Sequence, residues 1–210
     1  MTEIKNAPVD RAYSAKTPQE AEDAYDDWAE SYENDLLTYG FRLPFIASAV
    51  WARFVKPDEG LILDAGCGTG LQAESLYFAG YKLITGIDLS NGMLNVAKKK
   101  NIYRSLRKMM LGEILDFEDE YFANTISIGT ITPGHAPPHS FEELIRVTKK
   151  GGVILFSLRV DDGQDPSYPE AIELYAKENR WEKLFETEEF APMPNGEPDV
   201  KAKVFVYRVL

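Results

Sequence analysis

The stretch that most constrains this chain is Leu61-Ile62-Leu63-Asp64-Ala65-Gly66-Cys67-Gly68-Thr69-Gly70. An apolar run ends in an acid, three glycines follow at every second position, and a helical pattern continues from Leu71 to Ala79. The pattern reads as a strand, a tight turn and a helix start. A helix start carries unpaired backbone N–H groups and the positive end of the aligned peptide dipoles. Glycine has no Cβ, so a ligand can approach the turn's backbone closely. The spacing therefore predicts a sheet with a cofactor cradle at the carboxyl end of one strand.

The same spacing narrows the cofactor. The dinucleotide fingerprint is G-x-G-x-x-G, and here the third glycine comes one residue early, leaving Leu71 in the last position. The P-loop needs G-x-x-x-x-G-K-[ST], and no Lys follows Gly70. Asp64 on the strand end would repel a pyrophosphate, whereas it suits a ligand with an ammonium group. S-adenosylmethionine carries an ammonium and no phosphate.

A chain of 210 residues with 44% hydrophobic content can bury one sizeable core, so one domain is expected. The net charge of −11 argues against broad nucleic-acid binding, which needs a basic footprint. The one basic stretch, Lys98 to Lys108, reads as a solvated helix end that suits the dipole rather than as an anionic partner's site. The single cysteine, Cys67, excludes an intrachain disulfide and makes a cytoplasmic location the default. It reads as a small side chain packed under the turn. No apolar run approaches the length of a membrane span, so no membrane partner is expected, and the polar start of the chain lacks a signal-peptide core.

Residues 1–16 read as a loosely ordered start. Thr17-Pro18-Gln19-Glu20 is a capping box with Pro at the first helical position. It predicts a helix to about Leu37 with Ala21, Tyr25, Trp28, Tyr32 and Leu36 on one face. A second helix is expected over 42–55, and the two cover the cofactor from a segment spanning 17–57. The core then runs from 58 to 210. Strands are expected over 61–65, 82–88, 107–112, 124–129 and 152–159, with helices over 70–79, 91–100 and 140–148. Ser140 to Glu143 reads as a second capping box, and Ser167 opens a further helix to about Glu182. Strands over 185–191 and 201–209 close the chain, joined by the link Pro192 to Pro198 without a helix, hence as an antiparallel pair. Alternating strand and helix implies a doubly wound parallel α/β sheet with helices on both faces.

Asp64-Ala65-Gly66-Cys67-Gly68-Thr69-Gly70 resembles motif I of the class I S-adenosylmethionine-dependent methyltransferases. The resemblance runs from about Tyr25 to Leu210. It implies a Rossmann-like seven-stranded sheet of order 3-2-1-4-5-7-6, only the last-inserted strand antiparallel, under an N-terminal helical lid. Tyr25-Asp26-Asp27-Trp28-Ala29-Glu30-Ser31-Tyr32-Glu33 resembles the Y-D-x-W-A-x-x-Y-D signature of small-molecule methyltransferases, with Glu33 in place of the final Asp. Together with Arg146 to Gly152 and the Tyr168 to Trp181 helix, it resembles the Williams–Beuren syndrome chromosome region methyltransferase-like family.

Candidate cofactor residues gather at strand ends, where doubly wound sheets hold ligands. Ala65, Gly66, Cys67, Gly68 and Gly70 form the cradle, and Asp64 faces the methionine moiety. Asp88 ends the second strand and can accept from both ribose hydroxyls, with Leu89 and Met93 near the adenine. The resemblance implies that Glu113, one carbon longer than the family's usual Asp, meets the adenine amino group, with Ile114 beside it. It also implies that backbone at Gly129 and Thr130 faces the transferred methyl, and that Tyr25, Trp28 and Tyr32 lie over the cofactor. His135 is the candidate general base, since imidazole takes a proton near neutral pH. His135 and His139, without close cysteines or acids, make no metal site.

The expected activity is methyl transfer from S-adenosylmethionine to an acceptor, with S-adenosylhomocysteine as product. A small-molecule acceptor is favoured, and a protein acceptor stays open. Tyr39 to Phe45 and Val160 to Pro169 are candidate pocket rims. A non-catalytic S-adenosylmethionine-binding module is the alternative. A nicotinamide-dependent oxidoreductase is a weaker one, opposed by the glycine spacing and Asp64.

Overall fold

The structure is a computed structural model, described over residues 8–210. Four helices come first: α1 (Pro8–Tyr13), α2 (Pro18–Trp28), α3 (Tyr32–Thr38) and α4 (Leu43–Phe54). The alternating core follows as β1 (Ile62–Ala65), α5 (Leu71–Phe78), β2 (Ile84–Asp88), α6 (Asn91–Lys99), β3 (Ser105–Lys108), β4 (Asn124–Ser127), α7 (Ser140–Val147), β5 (Val153–Arg159), α8 (Ser167–Lys177), β6 (Trp181–Glu186) and β7 (Ala202–Val209). The strands form one sheet of order β3-β2-β1-β4-β5-β7-β6. The first five strands pair in parallel, and β7 runs antiparallel to both β5 and β6. This is the topology that the resemblance implied.

β1, β2 and β4 are buried at every residue. β1 is covered on both faces, which explains why Leu61-Ile62-Leu63 reads as a continuous apolar run rather than as an alternation. One face packs on Trp51 and Val50 of α4 and Leu76 of α5, the other on Phe141 and Leu144 of α7, Ile172 of α8 and Trp181.

Several elements depart from the sequence reading. The loosely ordered start expected over 1–16 contains α1; residues 1–7 lie outside the described residues. The single helix expected over 17–37 breaks between Trp28 and Tyr32. Asp35 draws the break tight: its Oδ2 accepts from Trp28 Nε1 at 2.7 Å and from Ser31 Oγ at 2.9 Å. Such side-chain bonds compete with the helical ladder. The first capping residue acts as expected, with Glu20 N donating to Thr17 Oγ1 at 3.2 Å. The second does not: Ser140 is already helical, and Glu143 accepts from Arg146 and Leu115 N instead. The third strand ends at Lys108 rather than 112, and the sixth spans Trp181–Glu186 rather than 185–191.

Candidate active site

β1 lies between β2 and β4, so the chain leaves it in opposite directions at a topological switch point. The glycine turn fills that crevice. Gly66 N and Cys67 N both donate to Ile87 O at 2.9 Å, and Gly70 N donates to Cys67 O at 2.9 Å. Gly66, Gly68 and Gly70 all adopt positive φ, a region that L side chains enter at a cost. The three glycines differ in their surroundings. A Cβ on Gly66 would lie 2.3 Å from Thr130, and one on Gly70 2.9 Å from the Tyr103 ring. A Cβ on Gly68 would meet nothing within 4 Å, and one on Gly129 only Leu43 at 4.0 Å. Gly68 and Gly129 thus present bare backbone to open space.

Two carboxylates stand at neighbouring strand ends. Asp88 is buried, with Oδ2 accepting from Gly68 N at 2.8 Å and Oδ1 from Ser90 N at 2.9 Å. Burial raises its pKa to about 6 against those backbone bonds. Each oxygen keeps a lone pair for a further donor. Asp64 is also buried and accepts from Tyr103 Oη at 2.7 Å. Burial pushes it up to about 7; the Tyr103 bond opposes this, and the Asp88 charge adds to it. Two desolvated acids with no cation beside them among the described residues favour a positively charged ligand.

Two adjoining cavities open over the turn. The larger, about 330 Å³, is bounded by Asp64, Gly66, Gly68 and Gly129 below and by Tyr13, Tyr25, Trp28 and Tyr32 above. The smaller, about 60 Å³, holds Asp88, Leu89, Met93, Met109, Leu111 and His135. Tyr25, Tyr32, Gly66, Gly68 and Gly129 belong to both. An ammonium-seeking acid lies at one end, and a hydroxyl-seeking acid in an apolar slot lies at the other. Both acids are acceptors, suited to the ammonium and the ribose hydroxyls of S-adenosylmethionine.

The cover is clasped onto this platform by charge. Asp26 Oδ1 accepts from Ser90 Oγ at 2.5 Å and from Gly92 N at 2.7 Å, so α2 caps the start of α6. A Cβ on Gly92 would lie 2.8 Å from the Asp26 backbone, so only glycine permits the approach. Lys100 meets Glu33 and Glu74, Lys99 meets Glu30, and Lys108 meets Glu22. Three residues of the basic stretch read as a solvated helix end, Lys99, Lys100 and Lys108, are therefore paired with acids of the cover.

Most of the expected site residues come together. Tyr25, Trp28, Tyr32, Asp64, Gly66, Cys67, Gly68, Asp88, Leu89, Met93, Gly129 and Thr130 line one cavity or both. Ala65 and Gly70 support the turn from beneath without lining either. Cys67 is buried under it, and burial raises its thiol well above the ordinary range. Phe41, Leu43, Pro44 and Gly163 from the two expected rims line the larger cavity.

Glu113 and Ile114 are corrected: both are exposed, Ile114 at 88%, and neither lines either of the two cavities over the turn. β3 ends early, with Lys108 opposite Asp88, so Met109 to Leu111 pass the slot and the chain has turned away by Glu113. His135 lines the smaller cavity and not the larger one. Its ring lies between Tyr13 and Tyr25, at 5.7 and 5.5 Å, and burial lowers its pKa. An imidazole that resists protonation on the Asp88 side is a poor base for an acceptor in the larger cavity.

Sequence reasoning missed Tyr103, Asp26 and Arg159. Tyr103 sits among lysines and arginines, with no periodic signal around it. Asp26 lay inside the aromatic signature, yet its helical position placed it on the polar face. Arg159 ends a strand whose wall is built by the distant link Pro192 to Glu197, and only the fold brings them together.

Residues 63–156 match the family model described as a methyltransferase domain. The chain is 34% identical to human (Homo sapiens) methyltransferase-like protein 27 over 71% of its own length and 61% of that protein's. It thus spans less than two thirds of that relative. It is 30% identical to a phosphatidylethanolamine N-methyltransferase of Cereibacter sphaeroides, over 70% of this chain and 74% of that one. Among solved structures, the [4+2]-cyclase SpnF superposes with a TM-score of 0.71 at 16% identity, covering 93% of this chain and 97% of that one. That likeness concerns the fold alone.

Proposed function

Because the chain belongs to the class I S-adenosylmethionine-dependent methyltransferases, we propose that it transfers a methyl group from S-adenosylmethionine to a small-molecule acceptor held in the larger cavity. One observation carries the reading: two buried strand-end acids flank a glycine turn whose bare backbone at Gly68 faces open space. When bound, S-adenosylmethionine supplies a methyl carbon already activated by its sulfonium, which an acceptor lone pair takes in line as the carbon–sulfur bond breaks.

The protein's work is then positioning and exclusion of water. Asp88 accepts from the ribose hydroxyls, and Met93, Met109 and Leu111 wall the adenine slot. Asp64 holds the ammonium, oriented by Tyr103 from behind. Gly129 N is fixed by Ser157 Oγ at 2.8 Å, which holds the β4 loop back from the reacting centre. Tyr25, Trp28 and Tyr32 close the cavity from above. His135 serves as a wall of the adenosine end, and any proton the acceptor loses passes to water rather than to an imidazole.

Calorimetric titration with S-adenosylmethionine, S-adenosylhomocysteine and NAD tests the reading. Saturable binding of the first two and none of NAD is expected. Binding of NAD alone would overturn it.

A further inference from the structure

The larger cavity has a second polar end that the cofactor leaves unused. Val9 and Tyr13 of α1, Arg159 at the end of β5, and Met193 and Glu197 on the link between β6 and β7 build its wall. Glu197 Oε2 is sealed from solvent and has no hydrogen-bond partner among the described residues. A buried carboxylate oxygen left unmatched is costly, and such atoms are rare unless a ligand or water completes them. Burial accordingly raises the Glu197 pKa, with Arg159 opposing.

Arg159 brings the opposite charge to the same wall, so the sign of the ligand must be weighed. Its Nε already donates to Asp161 at 2.6 Å, and Asp161 is fixed in turn by Gly163 N and Lys201 N. Arg159 therefore arrives with its own counter-ion, and Glu197 has none among the described residues. The wall contributed by α1 to α3 carries the rings of Tyr13, Tyr25, Trp28 and Tyr32, and aliphatic side chains such as Leu43, Ile128 and Leu158 line the rest. Tyr25 stacks on Trp28 at 6.1 Å, and Trp28 meets Tyr32 edge-on at 4.7 Å. Aromatic faces attract cations, most strongly where water is excluded. An unmatched carboxylate beside an aromatic wall is the chemistry of an organic-cation receptor.

We propose that the acceptor carries an alkylammonium or quaternary ammonium group, held by Glu197 and the aromatic wall of α1 to α3. This deepens the methyl-transfer reading and rests on it. The cationic group is a handle distinct from the methylated atom, because a protonated or quaternary nitrogen has no lone pair to give.

Three probes on one benzyl frame separate the alternatives: benzyltrimethylammonium, its uncharged isostere neopentylbenzene, and the anion phenylacetate. Each is titrated into the protein alone and into the protein saturated with S-adenosylhomocysteine. The cation is expected to bind at least tenfold tighter than the other two. Glu197→Gln should abolish that preference while S-adenosylhomocysteine binds as before, and Glu197→Asp should keep part of it. Tyr13→Phe should retain cation affinity and Tyr13→Leu lower it, the melting temperature confirming that each variant folds. Equal binding of the isostere, preference for phenylacetate, no binding of the cation, or an unchanged preference in Glu197→Gln would each overturn the proposal. Failure of S-adenosylhomocysteine to bind would instead strike the methyl-transfer reading, and the titrations of the protein alone would still decide the role of Glu197.

Discussion

The strand-end cradle and the helical cover face each other across the same cavities, but different forces hold them. The cradle is fixed largely by backbone: buried strands on both sides, two turn N–H groups on one carbonyl, and two glycines, Gly66 and Gly70, whose neighbours leave no room for a side chain. The cover is fixed by side chains: Asp26 on the start of α6, a set of lysine–glutamate pairs, and aromatic edges. The difference teaches where the site tolerates change. A cradle set by backbone geometry fails abruptly when an atom is added, whereas a cover held by partly exposed charges loosens by degrees.

The sharpest break in that contrast lies within the cradle. Gly66→Ala places a methyl 2.3 Å from Thr130 at a positive φ. Overpacking and left-handed strain together are expected to cost about 4 kcal/mol of stability, read by urea denaturation. Gly68→Ala carries the strain alone, about 1 kcal/mol, because its Cβ meets open space. Its effect should appear instead as a loss of S-adenosylhomocysteine affinity of about tenfold or more, about 1.4 kcal/mol. Equal losses of stability in the two variants would contradict the distinction.

The cover should respond more gently. Asp26→Ala removes two bonds at the start of α6 and is expected to cost about 1–2 kcal/mol, together with weaker cofactor binding. Its thermal melt and calorimetry measure both. Lys99→Ala breaks a pair exposed on both sides and should change stability by less than about 0.5 kcal/mol. A larger loss would mean that the clasp acts as a cooperative network.

Acidity separates stability from binding. Asp64 and Asp88 have folded pKa values of about 7 and 6, above the ordinary 3.8. The folded state therefore takes up their protons more readily than the unfolded one. Their contribution to stability is complete below about pH 4 and is lost as the pH rises through 6 and 7. Cofactor affinity runs the other way, because the ribose hydroxyls need an ionised Asp88. Melting curves of the protein without ligand across pH 4–8 should show the first trend, and Asp64→Asn should flatten it. Titrations with S-adenosylhomocysteine from pH 5 to 7.5 should show the second.

What was legible in the sequence follows the same division. The strand count, the glycine turn, Asp64 and Asp88 could be read, because apolar runs and turn chemistry are local signals, whereas the strand order came only with the family resemblance. The break after Trp28 could not, since it depends on Asp35 reaching back to the indole. Helix α1 is six residues long and buries only Val9 and Ala12, too little for periodicity to register. Glu113 and Ile114 were misplaced because the end of an exposed edge strand is set by pairing with β2 rather than by its own residues. The clasp escaped notice, since nothing in the basic stretch announces the acids of the cover that meet it.

The central claim is that the buried acid ending β2 holds the cofactor, while the turn keeps its shape mainly through backbone bonds. Calorimetry of the parent protein and Asp88→Asn with S-adenosylhomocysteine at pH 7.5, beside their melting temperatures, tests it most directly. The account predicts an affinity lower by about a hundredfold, the worth of charge-assisted bonds to two hydroxyls, in a variant that melts no lower than the parent. Undiminished affinity in Asp88→Asn would contradict it.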